Sequence, residues 1–288
     1  MSHNETRRYV GFLRLLITSN EAKLGLAIVL IFLATALLVA TAGKSILPYN
    51  PIQQNVGPVL AAPSLQHLFG TDNLGRDVFS RVVFATPNAL IVSFIVIGSA
   101  FMVGIFLGCV AGFWSGILDE ILMRSTDVIF AVPALILAMS IAVILGPGLI
   151  NMMYALMIIW WPPYARLARG EALRVSQHNF VEVAKTSGIK TFTILRRHII
   201  PNILTPLLAY ATLDIGTVVV VYAGLSYLGL SVQPPMPDWG GMVSSYQDYL
   251  VSAPWLPLFP AAVIAAVVIG FSLLGNGLRD AIESHNIS

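Results

Sequence analysis

NALIVSFIVIGSAFMVGIFLGCVAGF, residues 88–113, contains no Asp, Glu, Lys or Arg. A helix that crosses a bilayer needs about 20 predominantly apolar residues, so this stretch is long enough to be one. The rest of the chain has the same character, because 57% of its 288 residues are hydrophobic and only 10% are charged. Soluble domains carry about 25% charged residues. The composition therefore predicts one all-α, polytopic membrane domain and excludes a soluble globular fold.

Further apolar runs along the chain bring the number of predicted transmembrane helices to about six: 24–42, 88–113, 121–145, 149–165, 203–230 and 256–275. The fourth finishes in WWPP, residues 160–163, where we expect the two prolines to break the helix. The first run has 19 residues, whereas the apolar part of a signal peptide has about 7–15. We therefore expect the first run to be a retained span rather than a cleaved leader.

Basic residues are divided unequally between the two sides that six spans create. Only Lys44, Arg76 and Arg81 of the 16 Lys and Arg residues fall on one side. Cytoplasmic loops carry the excess of Lys and Arg in membrane proteins, so both termini are predicted to be cytoplasmic. The residues on that side are Arg7, Arg8, Arg14, Lys23, Arg124, Arg166, Arg169, Arg174, Lys185, Lys190, Arg196, Arg197 and Arg279.

These spans divide the chain into four parts. Residues 1–23 are a cytoplasmic N-terminal segment, and residues 24–87 hold the first span and an external loop. Residues 88–278 form a core of five spans that includes a long cytoplasmic segment at 166–200. Residues 279–288 form a cytoplasmic tail.

Small residues recur at every fourth position along the second span. Gly104, Gly108 and Gly112 are in register with Ala100 and Gly116, and this spacing lets another helix backbone approach closely. The row predicts a packed helix interface. It lies either within this chain or against a partner that slides along it during transport.

The cytoplasmic segment predicts two short helices joined by a chain reversal, at 180–187 and 191–198. Gly188 between them suits the positive φ that a reversal needs. Pro201 suits the first turn of the next span, where its missing N–H is not required. A basic amphipathic helix held on the surface by anionic lipid would also explain this segment.

The sequence EVAKTSGIKTFTILRRHIIP, residues 182–201, resembles the cytoplasmic motif of binding-protein-dependent ABC importer permeases. That motif has the form E-A-A, three residues, G, a longer run, and I-x-L-P. Val183 and Ile200 depart from the usual Ala and Leu but remain apolar. The resemblance implies that the segment is the coupling helix, which docks on a separate ATPase subunit and transmits its closure. The residues it implies for coupling are Glu182, Val183, Ala184, Gly188, Ile199 and Pro201.

Two further stretches resemble one particular family among these permeases. FGTDNLGRDVFSR, residues 69–81, and LSYLGLSVQPPMPDWGGM, residues 225–242, are similar to signature blocks of the dipeptide/oligopeptide/nickel permease family. They resemble the second, C-type permease of the pair that this family uses. The chain departs from the family pattern at two places. One is residues 85–90. The other is near Tyr222, where the family often has Glu instead.

The resemblance implies an ABC importer type I permease fold in the cytoplasmic membrane. The implied partners are a homologous second permease that completes a heterodimer, two ABC ATPase subunits, an extracytoplasmic substrate-binding protein and the lipid bilayer, with no nucleic acid. Dipeptides or oligopeptides are the first expected substrates, and nickel or oligosaccharides are alternatives. Pro235 and Trp239 would lie on the face toward the binding protein, although a merely interfacial Trp239 would explain the sequence equally well.

The chain lacks the phosphate-binding sequence of an ATPase. Its nearest candidate, AGKS at residues 42–45, has Leu38 where the first glycine of G-x-x-x-x-G-K-[ST] is required. We therefore expect ATP and Mg²⁺ to act in partner subunits and this chain to bind no cofactor. We also expect no metal site and no catalytic activity, because the His residues do not cluster with Cys or acidic residues.

Asp214 lies near the middle of the fifth predicted span. A carboxylate at that depth costs about 2.5–3.5 kcal/mol on insertion scales and normally faces the interior of the bundle. It either lines the transport pathway, where it meets a cationic group of the substrate, or makes a structural hydrogen bond to a neighbouring helix. Asp127 follows Arg124 by three residues, a spacing that predicts a structural pair on one helix.

Two other classes of protein compete with an ATP-driven importer. An ion-coupled secondary transporter would show charges or broken helices at the midplane of both halves, whereas this sequence has one such Asp and no visible inverted repeat. A membrane enzyme or a scaffold is the second alternative, and the lack of a reactive cluster argues against the enzyme.

Overall fold

The computed structural model describes residues 19–114 and 116–287, which are helical apart from loops and an isolated antiparallel bridge between Thr71 and Asp77. Short 3₁₀ turns lie at Gly43–Ile46 and Gln247–Tyr249, and a π-helical turn at Leu195–Ile199 joins two of the helices. The α-helices are α1 Asn20–Ala42, α2 Val78–Trp114, α3 Ile117–Phe130, α4 Ala134–Leu145, α5 Leu149–Ser176, α6 Asn179–Thr186, α7 Thr191–Ile194, α8 Ile200–Tyr227, α9 Trp239–Tyr246 and α10 Trp255–Ile287.

Four helical stretches within the described residues are long and apolar enough to cross a membrane: Asn20–Ile46, Val78–Trp114, Thr191–Tyr227 and Trp255–Ile282. The pair α3 and α4 is a fifth candidate, bent by 85°. The chain is therefore a multi-pass helical membrane protein, as its composition predicted. The six-span count and the side of each terminus stay predictions. Arg7, Arg8 and Arg14, on which the orientation partly depends, lie outside the described residues.

The predicted fourth span, 149–165, belongs to α5, which is not among the candidates. The first half of this helix is apolar, but its second half carries polar residues such as Arg169 and Glu171. The predicted break at Pro162 and Pro163 is wrong, because α5 continues through both prolines to Ser176. An internal proline costs a helix about 3 kcal/mol or more. Dense packing of the residues around the prolines outweighs that cost, since Trp160, Tyr164, Ala165 and Ala168 are all buried.

The helix α2 begins at Val78 rather than near residue 88, so the external loop is shorter than predicted. The Oδ2 atom of Asp77 accepts a hydrogen bond from the backbone N–H of Ser80 at 2.8 Å. This bond satisfies one of the free N–H groups in the first turn of the helix. Pro87, which the sequence placed at the end of the loop, lies inside the helix.

The predicted third span, 121–145, consists of two helices rather than one. α3 ends at Phe130, and α4 begins at Ala134 after a sharp change of direction. Pro133 lies immediately before α4. Because proline has no N–H to donate to the preceding turn, its position explains where the span breaks.

The helices α2 and α5 pack against each other along the row of small residues. A methyl group added at Gly104, Gly108 or Gly112 would lie between 2.3 and 2.9 Å from atoms of α5. The closest backbone contact would be at Gly108, 2.4 Å from the carbonyl oxygen of Ala165. The row is therefore covered by a helix of the same chain, which is the first of its two predicted alternatives.

Candidate functional site

The predicted coupling segment forms a helical hairpin, which we define as residues 179–199. Its reversal lies at Gly188, which has the predicted positive φ of 74°. The N–H of Ser187 donates to the carbonyl of Val183 at 2.9 Å, and that of Ile189 donates to the carbonyl of Ala184 at 3.1 Å. These bonds satisfy carbonyl groups that the end of α6 would otherwise leave free. Beyond the hairpin, Pro201 lies in the first turn of α8, as predicted.

One face of the hairpin is buried against the membrane helices. Ala184 is 5% exposed and Ile199 is fully buried. Both belong to an apolar cluster that also contains Ile105 and Cys109 of α2 and Ala168 and Ala172 of α5. The small side chain of Ala184 lets α6 lie close to this cluster, which also contains residues of α2 and α5.

The opposite face of the hairpin is exposed and partly apolar. Val183 is 62% exposed, Phe180 45% and Phe192 72%, and Glu182 is exposed beside them. Large apolar side chains grouped on a surface mark a site of interaction. The hairpin therefore presents an apolar surface with an adjacent acid, suited to contact with another protein.

Ion pairs tie α3 to α5 at the end of the bundle near the hairpin. Arg169 donates to Asp119 through both Nε and Nη2, the latter at 2.6 Å, and these bonds raise the pKa of Arg169. Arg166 donates to Asp127 in the same region. The predicted pair between Arg124 and Asp127 is looser, at 3.8 Å with both side chains exposed. The pair predicted from spacing is therefore present, and Arg166 is a second and closer partner of Asp127.

The carboxylate of Asp214 is buried between α8 and α5. Trp160 donates its Nε1–H to Oδ2 at 2.7 Å, and the hydroxyl of Tyr164 donates to the same oxygen at 3.2 Å. The ring of Tyr210 packs edge-on against that of Tyr164, with centroids 5.2 Å apart. The structural hydrogen bond between helices is present, and a role for Asp214 in the transport pathway stays a prediction.

The first signature block folds into a polar cluster around Asp72. The Oδ1 atom accepts from the backbone N–H groups of Leu74 and Arg76, both at 2.9 Å. The Oδ2 atom accepts from Arg76 Nε at 2.6 Å and from the hydroxyl of Tyr246 at 2.9 Å. Burial raises the pKa of Tyr246 to about 12, so its hydroxyl keeps the proton that it donates. The cluster joins this block to α9, the helix that begins in the second block.

Trp239 is buried, which corrects its predicted place on the external surface. It is 1% exposed, and its Nε1–H donates to the carbonyl of Val82 at 2.9 Å. A large aromatic ring gains more stability from such burial than from solvent contact. Asp238 caps α9 by accepting from the N–H of Gly240 at 3.2 Å. Pro235 is exposed, so the loop before Trp239 keeps a surface for a partner.

Sequence reasoning missed the pairing of His67 with Asp77, whose Nδ1 and Oδ1 atoms are 2.9 Å apart. No helical or strand period relates the two residues, because a turn brings them together. The one feature of the sequence that could have indicated this pair is a dense group of polar residues in an otherwise apolar chain. Among the described residues, no three His, Cys, Asp or Glu side chains could together hold a metal ion.

Residues 104–287 match the family described as "Binding-protein-dependent transport system inner membrane component". A dipeptide transport system permease protein of Alkalihalophilus pseudofirmus is 39% identical over 259 residues, or 90% of this chain and 85% of that protein. A probable D,D-dipeptide transport system permease protein of Escherichia coli is 41% identical over 224 residues, or 78% and 75%. A glutathione transport system permease protein of Pectobacterium atrosepticum is 40% identical over 221 residues, or 77% and 73%.

A solved structure has the same fold. It is an inward-facing form of the MetNI methionine ABC transporter, with a TM-score of 0.58 and 17% identity. The similarity covers 70% of this chain and 97% of that one. The chain thus has the fold of an ABC importer permease, as the signature blocks predicted.

Proposed function

This chain belongs to the family of binding-protein-dependent transport system inner membrane components, and from that membership we propose that it is the permease subunit of an ATP-driven importer. We propose dipeptides or oligopeptides as its substrates. The relatives matched over most of their length are named for dipeptide, D,D-dipeptide and glutathione transport. All three are short peptides, which places peptides ahead of nickel and oligosaccharides.

The proposed complex lies in the cytoplasmic membrane and has four further subunits. A homologous permease pairs with this chain, two ABC ATPase subunits bind on the cytoplasmic side, and a substrate-binding protein docks outside. We assign the binding of ATP and Mg²⁺ to the ATPases, since this chain lacks a phosphate-binding sequence of its own.

The hairpin is the single observation that carries this proposal. Its buried face packs on α2 and α5, and its exposed face presents Val183 and Phe192 to a partner. A segment with these two faces suits the transfer of motion from a bound subunit to the membrane helices. A lipid-anchored surface helix would not need its inner face to belong to the core of the bundle.

Closure of the ATPases would displace the hairpin and with it the cytoplasmic ends of α5 and α8. The helix α5 would carry α2 along, because backbone contacts at the glycine row leave no free space between them. Asp214 and Trp160 would link α5 to α8 in the middle of the bundle. A movement that starts at the hairpin would thus pass through α5 to α2 and α8, because these helices are in close contact.

Substitutions at Val183 test the proposal without disturbing the core, because this side chain is 62% exposed. In proteoliposomes with the complete importer, Val183→Asp should insert normally but reduce ATP-driven peptide uptake at least about tenfold, the effect of about 1.4 kcal/mol lost from docking. Val183→Ala is the matched control and should keep uptake. Deletion of residues 182–188 should likewise leave an inserted protein whose partners hydrolyse ATP without transport. Normal uptake in both Val183→Asp and the deletion would refute the proposal.

The secondary-transporter alternative has a different signature. Its uptake would collapse on addition of an ionophore while ATP is held constant, and it would need no ATPase subunit. The proposed importer should instead lose uptake when ATP is removed and the ion gradient is kept.

A further inference from the structure

A cavity of about 160 Å³ lies between the two signature blocks, on the predicted external side of the bundle. Arg76 and Arg81 line it from the first block, and Gln233, Asp238 and Ser245 are among the residues that line it from the second block and α9. Sites for small molecules measure about 300–1,000 Å³. The cavity is therefore too small for a peptide but has room for the end of a single side chain.

The guanidinium group of Arg81 is buried in the wall of this cavity with incomplete pairing. The residue is 5% exposed. Its Nη1 donates to the carbonyl oxygens of Pro51 at 2.7 Å and Pro235 at 3.4 Å, but its Nε has no hydrogen-bond partner among the described residues. The Oδ2 atom of Asp72 lies 3.9 Å from that Nε, beyond the length of a hydrogen bond.

Asp72 is close enough to Arg81 for an ion pair, at 3.9 Å, but no carboxylate among the described residues accepts a hydrogen bond from the Nε atom. Asp72 already accepts four hydrogen bonds, and a carboxylate has about four acceptor positions. Asp238 accepts from the hydroxyls of Tyr222 and Ser231 and from a backbone N–H. Buried charges in proteins are normally paired and fully hydrogen-bonded. The cavity thus has a cationic group in its wall whose hydrogen-bonding capacity is only partly used by the described residues.

We propose that this cavity receives the carboxylate of an Asp or Glu side chain from the external substrate-binding protein when that protein docks. The inference rests on the proposed function, which supplies both the partner and the side of the membrane. The cavity lies next to the exposed loop at Gln233 and Pro235, where an incoming protein would reach it. A guanidinium binds a carboxylate through directed, charge-assisted hydrogen bonds. One inserted acid would therefore fix the orientation of the docked protein.

Ser245 offers a matched pair of variants, because it is exposed and lies in the lining of the cavity. Ser245→Asp places a carboxylate beside the arginines and should exclude the incoming one. Ser245→Asn has nearly the same shape without the charge, and both variants lose the same hydrogen bond from Ser245 to the carbonyl of Gly241.

With the assembled importer in nanodiscs, Ser245→Asp should weaken binding of the cognate binding protein at least about tenfold, the loss of one interfacial charge pair. Ser245→Asn should stay within about twofold of the unchanged chain. Equal affinities for the two variants would overturn the proposal.

A reciprocal experiment identifies the acid on the binding protein. Each acidic residue of its docking face is changed to the corresponding amide, and one change should reproduce the loss. Combined with Ser245→Asp, that change should cause no further loss, because both remove one interaction. Independent, additive losses from every amide variant would contradict the inference.

Two comparisons separate the possible sources of failure. The binding protein is tested with and without bound peptide, and the proposal expects the effect of Ser245→Asp in both forms. An effect confined to the peptide-loaded form would assign the carboxylate to the peptide and overturn the proposal. Failure of the unchanged importer to bind the binding protein would instead refute the proposed function itself.

Discussion

Gly108→Ala tests the contact between α2 and α5, on which the transfer of motion through the bundle depends. The added methyl group would lie 2.4 Å from the carbonyl oxygen of Ala165 and 2.7 Å from Ala168 Cβ. Real Cβ contacts essentially never fall below 3.0 Å, so the first contact is short by at least 0.6 Å. The obstacle is backbone rather than a flexible side chain. The two helices must therefore separate or bend.

The expected cost follows from this separation. A gap of about 0.5–1 Å forfeits a quarter to a half of the dispersion energy at each contact, and overpacking of a well-packed core costs about 1–3 kcal/mol. Alanine also has a higher helix propensity than glycine, by up to about 1 kcal/mol. The control Gly98→Ala gains the same propensity, but a methyl group at Gly98 meets nothing within 4 Å. The difference between the two variants should therefore be about 1–3 kcal/mol.

Unfolding by SDS in mixed micelles measures this difference directly. Gly108→Ala should unfold at a lower SDS fraction than the unchanged chain, and Gly98→Ala at an equal or higher one. A difference in free energy of unfolding below about 0.5 kcal/mol, the range of ordinary surface substitutions, would show that α2 and α5 are not in tight backbone contact at this position.

Two further predictions concern buried polar groups, and a third variant at an exposed pair serves as their comparison. Trp160→Phe removes the donor 2.7 Å from Asp214 and leaves only the longer bond from Tyr164 to that oxygen. It should lower the free energy of unfolding by about 1–3 kcal/mol, because a buried acceptor loses its shorter hydrogen bond. An unchanged unfolding midpoint would contradict the bridge. Asp72→Asn weakens the buried pair with Arg76 and should cost up to about 3–5 kcal/mol, seen as less folded protein in the membrane fraction. Arg124→Gln disrupts a pair whose side chains are 74% and 51% exposed and should cost under about 1 kcal/mol. Equal losses from these last two variants would show that the Asp72 cluster does not stabilise the fold.

Features that depend on local sequence were predicted well. The hairpin was visible because Gly188 and Pro201 have conformational preferences that act within a few residues. The row at Gly104 and Gly108 was visible because helix geometry alone places every fourth residue on one face. Which helix would cover that row depended on tertiary structure, and the sequence left that open.

Features decided by distant contacts were predicted poorly. Pro162 and Pro163 suggested a helix end, but the packing of Trp160 and Tyr164 keeps α5 continuous. Trp239 suggested an exposed anchor, but the carbonyl of Val82 on another helix supplies a buried partner for its N–H. In both cases the deciding partner lies on a helix remote in the chain, so no local pattern could reveal it.

Cysteine crosslinking at the hairpin tests most directly whether its exposed face docks on an ATPase subunit. The native Cys109 is buried, so an introduced cysteine can be crosslinked selectively. Val183→Cys, at a position 62% exposed, should crosslink to the ATPase in the assembled importer, whereas Ala184→Cys, at a position 5% exposed, should not. Failure of Val183→Cys to crosslink to any position of the ATPase, in a complex that still imports peptide with ATP, would contradict the account.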